Sequence, residues 1–380
     1  MRCWRRLLSE SDRPHETIIG SAVPGCSIQG AGHSFELMTR HLKDTDRWKK
    51  TVQSFCDVSI TALIDLVADE FVFGEIARVS REAPVLILKH RERAVVPGGG
   101  GNAVMNLAAL GVNVLPVGVI GDDEAGSRLL WQLHEEKVPT SGIERVKGHI
   151  TPTKTRILAG MSHTSRQQVV RLDREPEPLD ELHPVLLNLV NAAREYATAS
   201  DAFLISDYGY GAATPRLLNF VKSNHCLQNK PVTLDSRYRM LEFEGVTAAT
   251  PNEPEVEEAL GIKIGHDDKK LLAAGEQLMK QMQLESLVIT RGRDGMVAFE
   301  KDAAPLAVPI FGSDQVVDVT GAGDTVIATF TAALAAGADA ADATRLANFA
   351  GGIVVMKRGT ATVSNKELLA AIDQYAATMS

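Results

Sequence analysis

Short apolar runs alternate with amphipathic helical segments along most of this chain of 380 residues. Strands that alternate with helices in this way form a parallel sheet with helices covering both faces. The sequence therefore predicts an α/β fold in which right-handed crossovers join neighbouring strands. The runs predicted to form strands are Ala62–Ala68, Pro84–Leu88, Val112–Ile120, Ala202–Ser206, Pro231–Leu234 and Ser286–Thr290. The segments predicted to form helices are Gly126–Val138, Glu181–Ala197, Asp268–Met282 and Arg345–Met356.

Polar residues stand at or just after the ends of several predicted strands. The positions are Asp69, Asp207, Asp235, Asn252 and Thr290. Asp and Asn are ordinary turn residues, so each position alone says little. In open parallel sheets, however, ligands bind outside the carboxyl ends of the strands. The recurrence of polar residues at this edge of the sheet therefore predicts a binding site there.

A glycine-rich turn between a predicted strand and a predicted helix is the most specific local feature. Val316, Val317 and Val319 predict a short buried strand, and two glycines then permit a tight turn. Apolar residues at 326, 330 and 334 predict a helix that ends at Gly337. Unpaired N–H groups at a helix N-terminus bind anions. Asp324, in the first turn, could accept a proton from a hydroxyl that attacks such an anion, although the same residues also suit a plain turn and a helix cap.

Composition argues against several classes of protein. The formal net charge of -8 disfavours binding to nucleic acid, and no apolar run is long enough to span a membrane. The four cysteines are scattered without metal-binding spacing, which favours a reducing compartment, so we expect a cytoplasmic protein.

The chain lacks the Gly-x-x-x-x-Gly-Lys-Ser/Thr phosphate loop, and no ribose-binding acid follows the weakly dinucleotide-like run Gly98–Ala103.

The first part of the chain differs from the rest. Residues 1–56 carry glycines and scattered charges with little periodicity, so we expect a poorly ordered N-terminal extension. The basic residues near Met1 are not followed by the apolar stretch of a signal peptide. The strand and helix patterns begin near residue 57 and predict one domain over 57–380.

Four motifs in a fixed order resemble those of the PfkB, or ribokinase-like, carbohydrate kinases, from about Asp57 to the C-terminus. Asp318–Thr325 matches the family's Asp-x-x-Gly-Ala-Gly-Asp signature. Pro97–Ala103, followed by Val117–Gly126, is similar to its N-terminal signature. Asn252–Glu255 resembles its Asn-x-x-Glu motif, and Thr290–Gly295 resembles its nucleotide-binding strand end.

The resemblance implies a ribokinase-like three-layer αβα sandwich with a mostly parallel central sheet and a small β-sheet lid. The lid is expected from about 72–88 and 155–173, where Thr155–Ala159 and Gln168–Leu172 predict a hairpin. A small isolated sheet has an exposed apolar face, so we expect a homodimer that pairs its lids.

The resemblance also implies roles in an ATP- and Mg²⁺-dependent transfer. Asp324 is expected to be the base that deprotonates a sugar hydroxyl. The backbone amides expected to hold the transferred phosphoryl group are those of Gly321, Ala322 and Gly323. The residues expected to hold the sugar are Asp69, Gly98, Gly99, Asn102 and Arg171.

The remaining implied roles concern the nucleotide and its ions. Asn252 and Glu255 are expected to position Mg²⁺ through its waters. Thr290 and Gly292 are expected to border the nucleotide, with Asn348 near the adenine. A monovalent cation such as K⁺ is a further family ligand, implied near the carbonyls of Asp318 and Thr320.

Within the family, the chain resembles the heptose-phosphate kinases, the kinase domains of ADP-heptose synthesis proteins. The run Arg78–Val85, the run Thr153–Arg156 and the segment Gln168–Asp173 carry this likeness. It implies phosphorylation of D-glycero-D-manno-heptose 7-phosphate at its anomeric hydroxyl. Lysine and arginine near the lid would suit a phosphorylated sugar, and the alternative is that these cations are simply solvated.

Some residues depart from that branch and leave the sugar open. Glu70 stands where a basic or aromatic residue is usual, Ser236 replaces a proline, and Gly98–Gly101 replaces a Gly-Gly-Ala-Ala run. The sequence has no His-x-Gly-His motif of a nucleotidyltransferase domain, so we expect the kinase part alone. The alternatives are a kinase for an unphosphorylated sugar or nucleoside, and a non-catalytic sugar-binding protein on the same fold.

Overall fold

The computed structural model describes residues 44–160, 166–312 and 317–379. The strands in these residues are β1 (Ser59–Val79), β2 (Leu86–Gly99), β3 (Asn113–Gly121), β4 (Ile143–Val146), β5 (Thr153–Gly160), β6 (Gln167–Arg174), β7 (Ala202–Asp207), β8 (Val232–Ser236), β9 (Ala248–Ala249), β10 (Ser286–Thr290), β11 (Met296–Glu300) and β12 (Leu306–Val308). The α-helices are α1 (44–53), α2 (Gly100–Ala109), α3 (Glu124–Glu135), α4 (Val185–Ala199), α5 (Pro215–Lys222), α6 (Glu253–Leu260), α7 (Asp268–Gln281), α8 (Ala322–Ala335), α9 (Ala340–Val354) and α10 (Asn365–Met379).

The central sheet has the strand order β12-β11-β10-β9-β8-β7-β1-β3-β4. Its strands are parallel from β10 to β4, and only β11 and β12 add antiparallel pairs at one edge. One hydrophobic core lies between the sheet and α1, α2, α3, α8, α9 and α10, and a second lies on the other face under α4 to α7. The predicted α/β sandwich is therefore confirmed.

Strand β1 belongs to two sheets. Ser59–Asp65 pairs with β3 in the central sheet, whereas Ala68–Glu75 pairs with β5 in a second, smaller sheet. That small sheet also contains β2 and β6, and β5 and β6 form the predicted antiparallel hairpin. The prediction that the first strand ends at Asp69 was wrong, because this second set of partners carries β1 on to Val79. The small sheet is also larger than predicted, since β2 continues to Gly99.

The folded domain begins before residue 57. Residues 44–53 form α1, and Trp48, Val52 and Phe55 are buried in the first core. Trp48 also donates a hydrogen bond from Nε1 to Asp342 at 2.8 Å. The predicted extension over 1–56 was therefore wrong for residues 44–56, because these apolar side chains pack against α9 and α10. Residues 1–43 lie outside the described residues.

The C-terminal helices and the residues before the glycine turn also differ from the prediction. The helix predicted over Arg345–Met356 is α9, and another helix, α10, follows it. Val317 and Val319 are not in a buried strand, since Val319 is 67% exposed. The reason is that the amides of Val317 and Asp318 both donate to the Val355 carbonyl at the end of α9, and not to a sheet strand. Val316 lies outside the described residues.

None of the described helices combines the length and apolarity that a membrane span needs.

Candidate active site

The N-terminus of α8 meets the N-terminus of α2 beside the carboxyl ends of the central strands. Gly321 precedes α8 with φ of 79°, a left-handed conformation that favours glycine. A Cβ at Gly321 would overlap the Asn102 side chain, whose Nδ2 donates to the Gly321 carbonyl at 3.2 Å. The glycine at 321 therefore lets the loop between β12 and α8 contact the start of α2.

Asp324 is the buried carboxylate of this site. It is 4% exposed, although it lies in the first turn of a helix. Its Oδ2 accepts a hydrogen bond from Asn102 Nδ2 at 3.0 Å, and its Oδ1 accepts one from the Tyr208 hydroxyl at 2.8 Å. Burial raises the pKa of Asp324 to about 7, while the two hydrogen bonds oppose that rise. A carboxylate with a pKa near neutrality is suited to accept a proton at working pH.

The backbone amides at the start of α8 differ in their availability. The Ala322 amide donates to the Val319 carbonyl at 3.2 Å, so this amide would have to leave that acceptor to bind an anion. The Gly323 amide lies in the first turn, where amides have no acceptor within their own helix. Gly323 is exposed, and a Cβ there would meet no heavy atom within 4 Å. There is thus open space beside Gly323 in the first turn of this helix.

The predicted sugar-side residues come together next to Asp324. Asp69 accepts hydrogen bonds from Arg156 at 2.5 Å and from the Thr360 hydroxyl at 2.9 Å. A Cβ on Gly98 would lie 2.5 Å from Asp69 Oδ2, so only glycine leaves room for that carboxylate. Gly99 has φ of 53°, and a Cβ there would lie 3.2 Å from the Tyr208 ring. Asn102, which follows these glycines on α2, donates its side-chain hydrogen bond to Asp324.

The Asn252–Glu255 motif forms the N-terminus of α6. The Asn252 side chain accepts from the Glu255 amide, and the Glu255 side chain accepts from the Asn252 amide, both at 2.9 Å. This reciprocal pair is a capping box. Burial raises the pKa of Glu255, and burial together with the charges of Glu255 and Asp324 raises that of Asp235. Each capping carboxylate or amide keeps further acceptor capacity, and a cation would relieve this concentration of negative charge.

The expected Mg²⁺ fits these donors only through water. Among the described residues, no group of three or more His, Cys, Asp or Glu side chains forms a direct metal cage. Magnesium commonly keeps several of its waters and binds proteins through one or two carboxylates. The arrangement of Asn252 and Glu255 therefore suits a hydrated ion.

The residues expected near the nucleotide lie at the end of β10 and on α9. Thr290 is the last residue of β10 and forms a β-bridge with Asn252, so these two positions are adjacent. Gly292 follows in a short turn with φ of 54°. Asn348 is buried on α9, and its amide donates to the Pro309 carbonyl at 2.8 Å. Its side-chain nitrogen is thus already committed to the segment after β12.

Asp318 holds the glycine turn to the segment after α9. Its carboxylate accepts from the Thr320 amide at 3.0 Å and from the Gly359 amide at 2.9 Å. The carbonyls implied as cation ligands therefore belong to a loop fixed at both ends.

Besides Arg156, further cations of the small sheet and its surroundings lie near the residues expected to hold the sugar. Lys154 is half-buried, with its Nζ 5.7 Å from the centre of the Tyr208 ring. Burial lowers the pKa of Lys154, and the nearby charges of Arg171 and Arg237 lower it further. Arg171 also forms two hydrogen bonds with Asp173 on its own strand. Mutual repulsion among these cations would be relieved by an anionic ligand.

The sequence reasoning missed three residues of the site. Tyr208 directly follows the strand-ending Asp207, so the rule that ligands bind beyond strand ends could have found it. Asp65, which accepts a hydrogen bond from the Tyr208 amide, was hidden inside an apolar run. Thr360 lies beyond α9 in a segment without a recognisable pattern.

Comparison with known proteins agrees with this arrangement. Residues 65–367 match the model of the pfkB family of carbohydrate kinases. The chain is 40% identical over 315 residues to the Bifunctional protein HldE of Geobacter metallireducens, a match covering 82% of this chain and 62% of that protein. It is 37% identical over 326 residues to the Bifunctional protein HldE of Mesorhizobium japonicum, covering 85% and 64%. The chain thus spans less than two thirds of the length of these relatives.

Two solved structures share the fold at low identity. Phosphofructokinase-2 from Escherichia coli, in complex with potassium, aligns with a TM-score of 0.64 and 18% identity over 84% of this chain and 99% of that one. Arabidopsis thaliana ribokinase, complexed with ribose and ATP, also has a TM-score of 0.64 and 18% identity, over 83% and 98%. These likenesses establish a ribokinase-like fold. The motifs, the fold and the family match together show that the chain belongs to the pfkB family of carbohydrate kinases.

Proposed function

We propose that this protein transfers the γ-phosphoryl group of ATP to the anomeric hydroxyl of D-glycero-D-manno-heptose 7-phosphate. The observation that carries the proposal is the buried Asp324, held by two hydrogen bonds at the open N-terminus of α8. The resemblance to heptose-phosphate kinases and the identity to the HldE proteins support the choice of sugar.

In this proposal Asp324 takes the proton from the sugar hydroxyl. The hydroxyl oxygen forms a bond to the γ-phosphorus, and the bond between that phosphorus and the bridging oxygen of ADP breaks. The negative charge that develops on the phosphoryl oxygens is stabilised by the helix dipole and by the amides of Gly321, Ala322 and Gly323, with the Ala322 amide exchanging the Val319 carbonyl for a phosphoryl oxygen. Asp324 then releases its proton to solvent.

Residues at the neighbouring strand ends would bind the nucleotide and its ions. Mg²⁺ bound with the nucleotide would supply positive charge to the phosphates. Asn252 and Glu255 would hold its waters, and Thr290 and Gly292 would border the phosphates and ribose. We assign the adenine side to the surroundings of Asn348. The fixed loop containing Asp318 and Thr320 is our proposed site for a monovalent cation such as K⁺.

The cations near the lid favour a substrate that already carries a phosphate. Lys154, Arg171 and Arg237 would share the 7-phosphate, since guanidinium and ammonium groups bind phosphate oxygens directly. Glu70, which stands where a basic or aromatic residue is usual, would repel a phosphate if its charge were unpaired. It is paired with Arg93 and accepts from the Thr155 hydroxyl at 2.5 Å. Its charge is therefore largely neutralised within the small sheet.

The test is an ADP-release assay with Mg·ATP and a matched set of acceptors. Heptose 7-phosphate should be preferred over fructose 6-phosphate, ribose, fructose and adenosine. Lys154→Met should raise KM for the phosphorylated sugar and leave KM for ATP unchanged, because the lost charge faces the sugar side. Turnover of neutral sugars alone would overturn the choice of substrate, and no turnover of any acceptor would favour a non-catalytic sugar-binding protein.

We also propose that the small sheets of two copies pair in a cytoplasmic homodimer. The small sheet exposes Val79, Leu86, Val170 and Leu172, and exposed apolar side chains grouped on one element favour an interaction surface. Replacing Val170 and Leu172 by Asp should convert the dimer to monomers, as measured by light scattering. Leu187→Asp, at an exposed position on α4, is the control. A wild-type protein that is monomeric at micromolar concentration would contradict this proposal.

A further inference from the structure

The loop after β7 carries a tyrosine that contacts the carboxylate of Asp324. The Tyr208 hydroxyl donates to Asp324 Oδ1 at 2.8 Å, although 116 residues separate the two positions. Burial and the charge of Asp324 raise the pKa of Tyr208 well above its ordinary value. The phenol therefore stays protonated and remains a donor throughout the range of pH in which a carboxylate titrates.

A buried carboxylate holds this loop in place. Asp65, on β1, accepts hydrogen bonds from the amides of Tyr208 and Tyr210, both at 2.9 Å. Its other oxygen accepts from the amides of Ala212 and Ala213, at 2.9 and 3.2 Å. Four amides on one carboxylate fix the path of the backbone. Gly99 then lets the Tyr208 ring lie against β2, since a Cβ there would be 3.2 Å from the ring.

We propose that Tyr208 is a positioning residue that orients Asp324 and sets its affinity for the proton. This role rests on the proposed function, in which Asp324 is the base. Asn102 holds one carboxylate oxygen and Tyr208 holds the other, so the plane of the carboxyl group is fixed. Each oxygen keeps a further acceptor site, and the proposed function needs one of these for the sugar hydroxyl.

The hydrogen bond from Tyr208 also opposes the effect of burial on Asp324. A donor stabilises the charged carboxylate more than the neutral acid, so it lowers the proton affinity. The other groups facing Asp324 are Asn102 from α2, Asp69 from β1, Lys154 from β5 and Asp235 from β8. Tyr208→Phe leaves all of these in place and changes no charge. It therefore isolates the contribution of one hydroxyl.

The first measurement is the dependence of kcat/KM on pH, with the sugar phosphate varied at saturating Mg·ATP. The acidic limb of Tyr208→Phe should move to higher pH by about one unit, since one unit corresponds to the strength of one such hydrogen bond. At high pH the variant should recover to within a few-fold of wild type. Tyr210→Phe is the matched control, because its hydroxyl binds Glu175 and not Asp324. Its acidic limb should not move.

The second measurement does not depend on activity. Carboxyl ¹³C NMR of aspartate-labelled protein, with Asp324→Asn used for assignment, reports the titration of Asp324 directly. Tyr208→Phe should raise the midpoint, and Tyr210→Phe should leave it unchanged. Equal midpoints in Tyr208→Phe and wild type would overturn the inference. If no acceptor is phosphorylated by wild type, the proposed function fails, and the titration still decides whether Tyr208 controls Asp324.

Discussion

At the scale of single residues, Asp324 combines a reactive position with a cost in stability. The pKa of Asp324 is about 7 in the folded state and about 4 in the unfolded chain. Between these two pH values the folded state therefore keeps a proton that the unfolded chain has already released. The free energy of unfolding contributed by this group therefore decreases as pH rises through that window. Above pH 7 the buried carboxylate is charged, and its desolvation penalty is fully present.

We predict that Asp324→Asn is more stable than wild type at pH 8, by on the order of 1 kcal/mol or more, because the amide cannot ionise. The advantage should shrink towards pH 5. Transfer should decrease by about 10²- to 10⁴-fold while ATP binding is kept. Urea unfolding at both pH values measures the first effect, with the exposed Glu300→Gln as control. Near-normal turnover in Asp324→Asn would exclude its role as the base.

Gly98 is a second residue whose effect is local. We predict that Gly98→Ala raises KM for the sugar at least about tenfold, since an added methyl group in a tight site costs roughly 1 to 3 kcal/mol. The added Cβ would be 2.5 Å from Asp69 Oδ2 and would displace that carboxylate. KM for ATP serves as the internal control and should stay within twofold. An unchanged KM for the sugar would show that Asp69 does not contact it.

At the scale of elements, two different substitutions of Asn252 distinguish its role in the capping box of α6 from a role in ion binding. We predict that Asn252→Ala lowers the free energy of unfolding by about 1 kcal/mol, because the Glu255 amide loses its acceptor. Asn252→Ser keeps a cap and should unfold like wild type. If Asn252 also holds the waters of Mg²⁺, both variants should need more Mg²⁺ for half-maximal activity. A normal Mg²⁺ requirement in Asn252→Ser would assign the residue to capping alone.

Strand β1 shows how far an element could be predicted from its own residues. Its apolar first half predicted a buried strand, and this is confirmed by Ser59–Asp65 in the central sheet. Its continuation to Val79 depends on pairing with β2 and β5. Because β2 and β5 are separate segments of the chain, the residues of β1 beyond Asp69 could not by themselves predict this pairing.

At the scale of the whole molecule, residues 44–56 are part of the folded domain. Trp48 is 3% exposed and contacts Phe349 and Tyr375, with ring centres 5.8 Å away in each case. We predict that Trp48→Ala lowers the free energy of unfolding by about 3 kcal/mol or more, the usual cost of such a cavity. Trp131→Ala, at a position 53% exposed, should change it by less than about 0.5 kcal/mol. Equal losses in the two variants would contradict the packing of α1.

The α/β class, the glycine turn before α8 and the position of Asp324 in the first turn of that helix could be predicted from local sequence, because periodicity, glycine and helix starts act over a few neighbouring residues. The sequence by itself could not determine which side chains surround Asp324. Tyr208 and Asn102 reach that carboxylate from 116 and 222 residues away, and its burial is the sum of contacts from several elements. These features depend on the folded arrangement, since solvent exclusion and hydrogen bonds between distant segments arise when the chain packs.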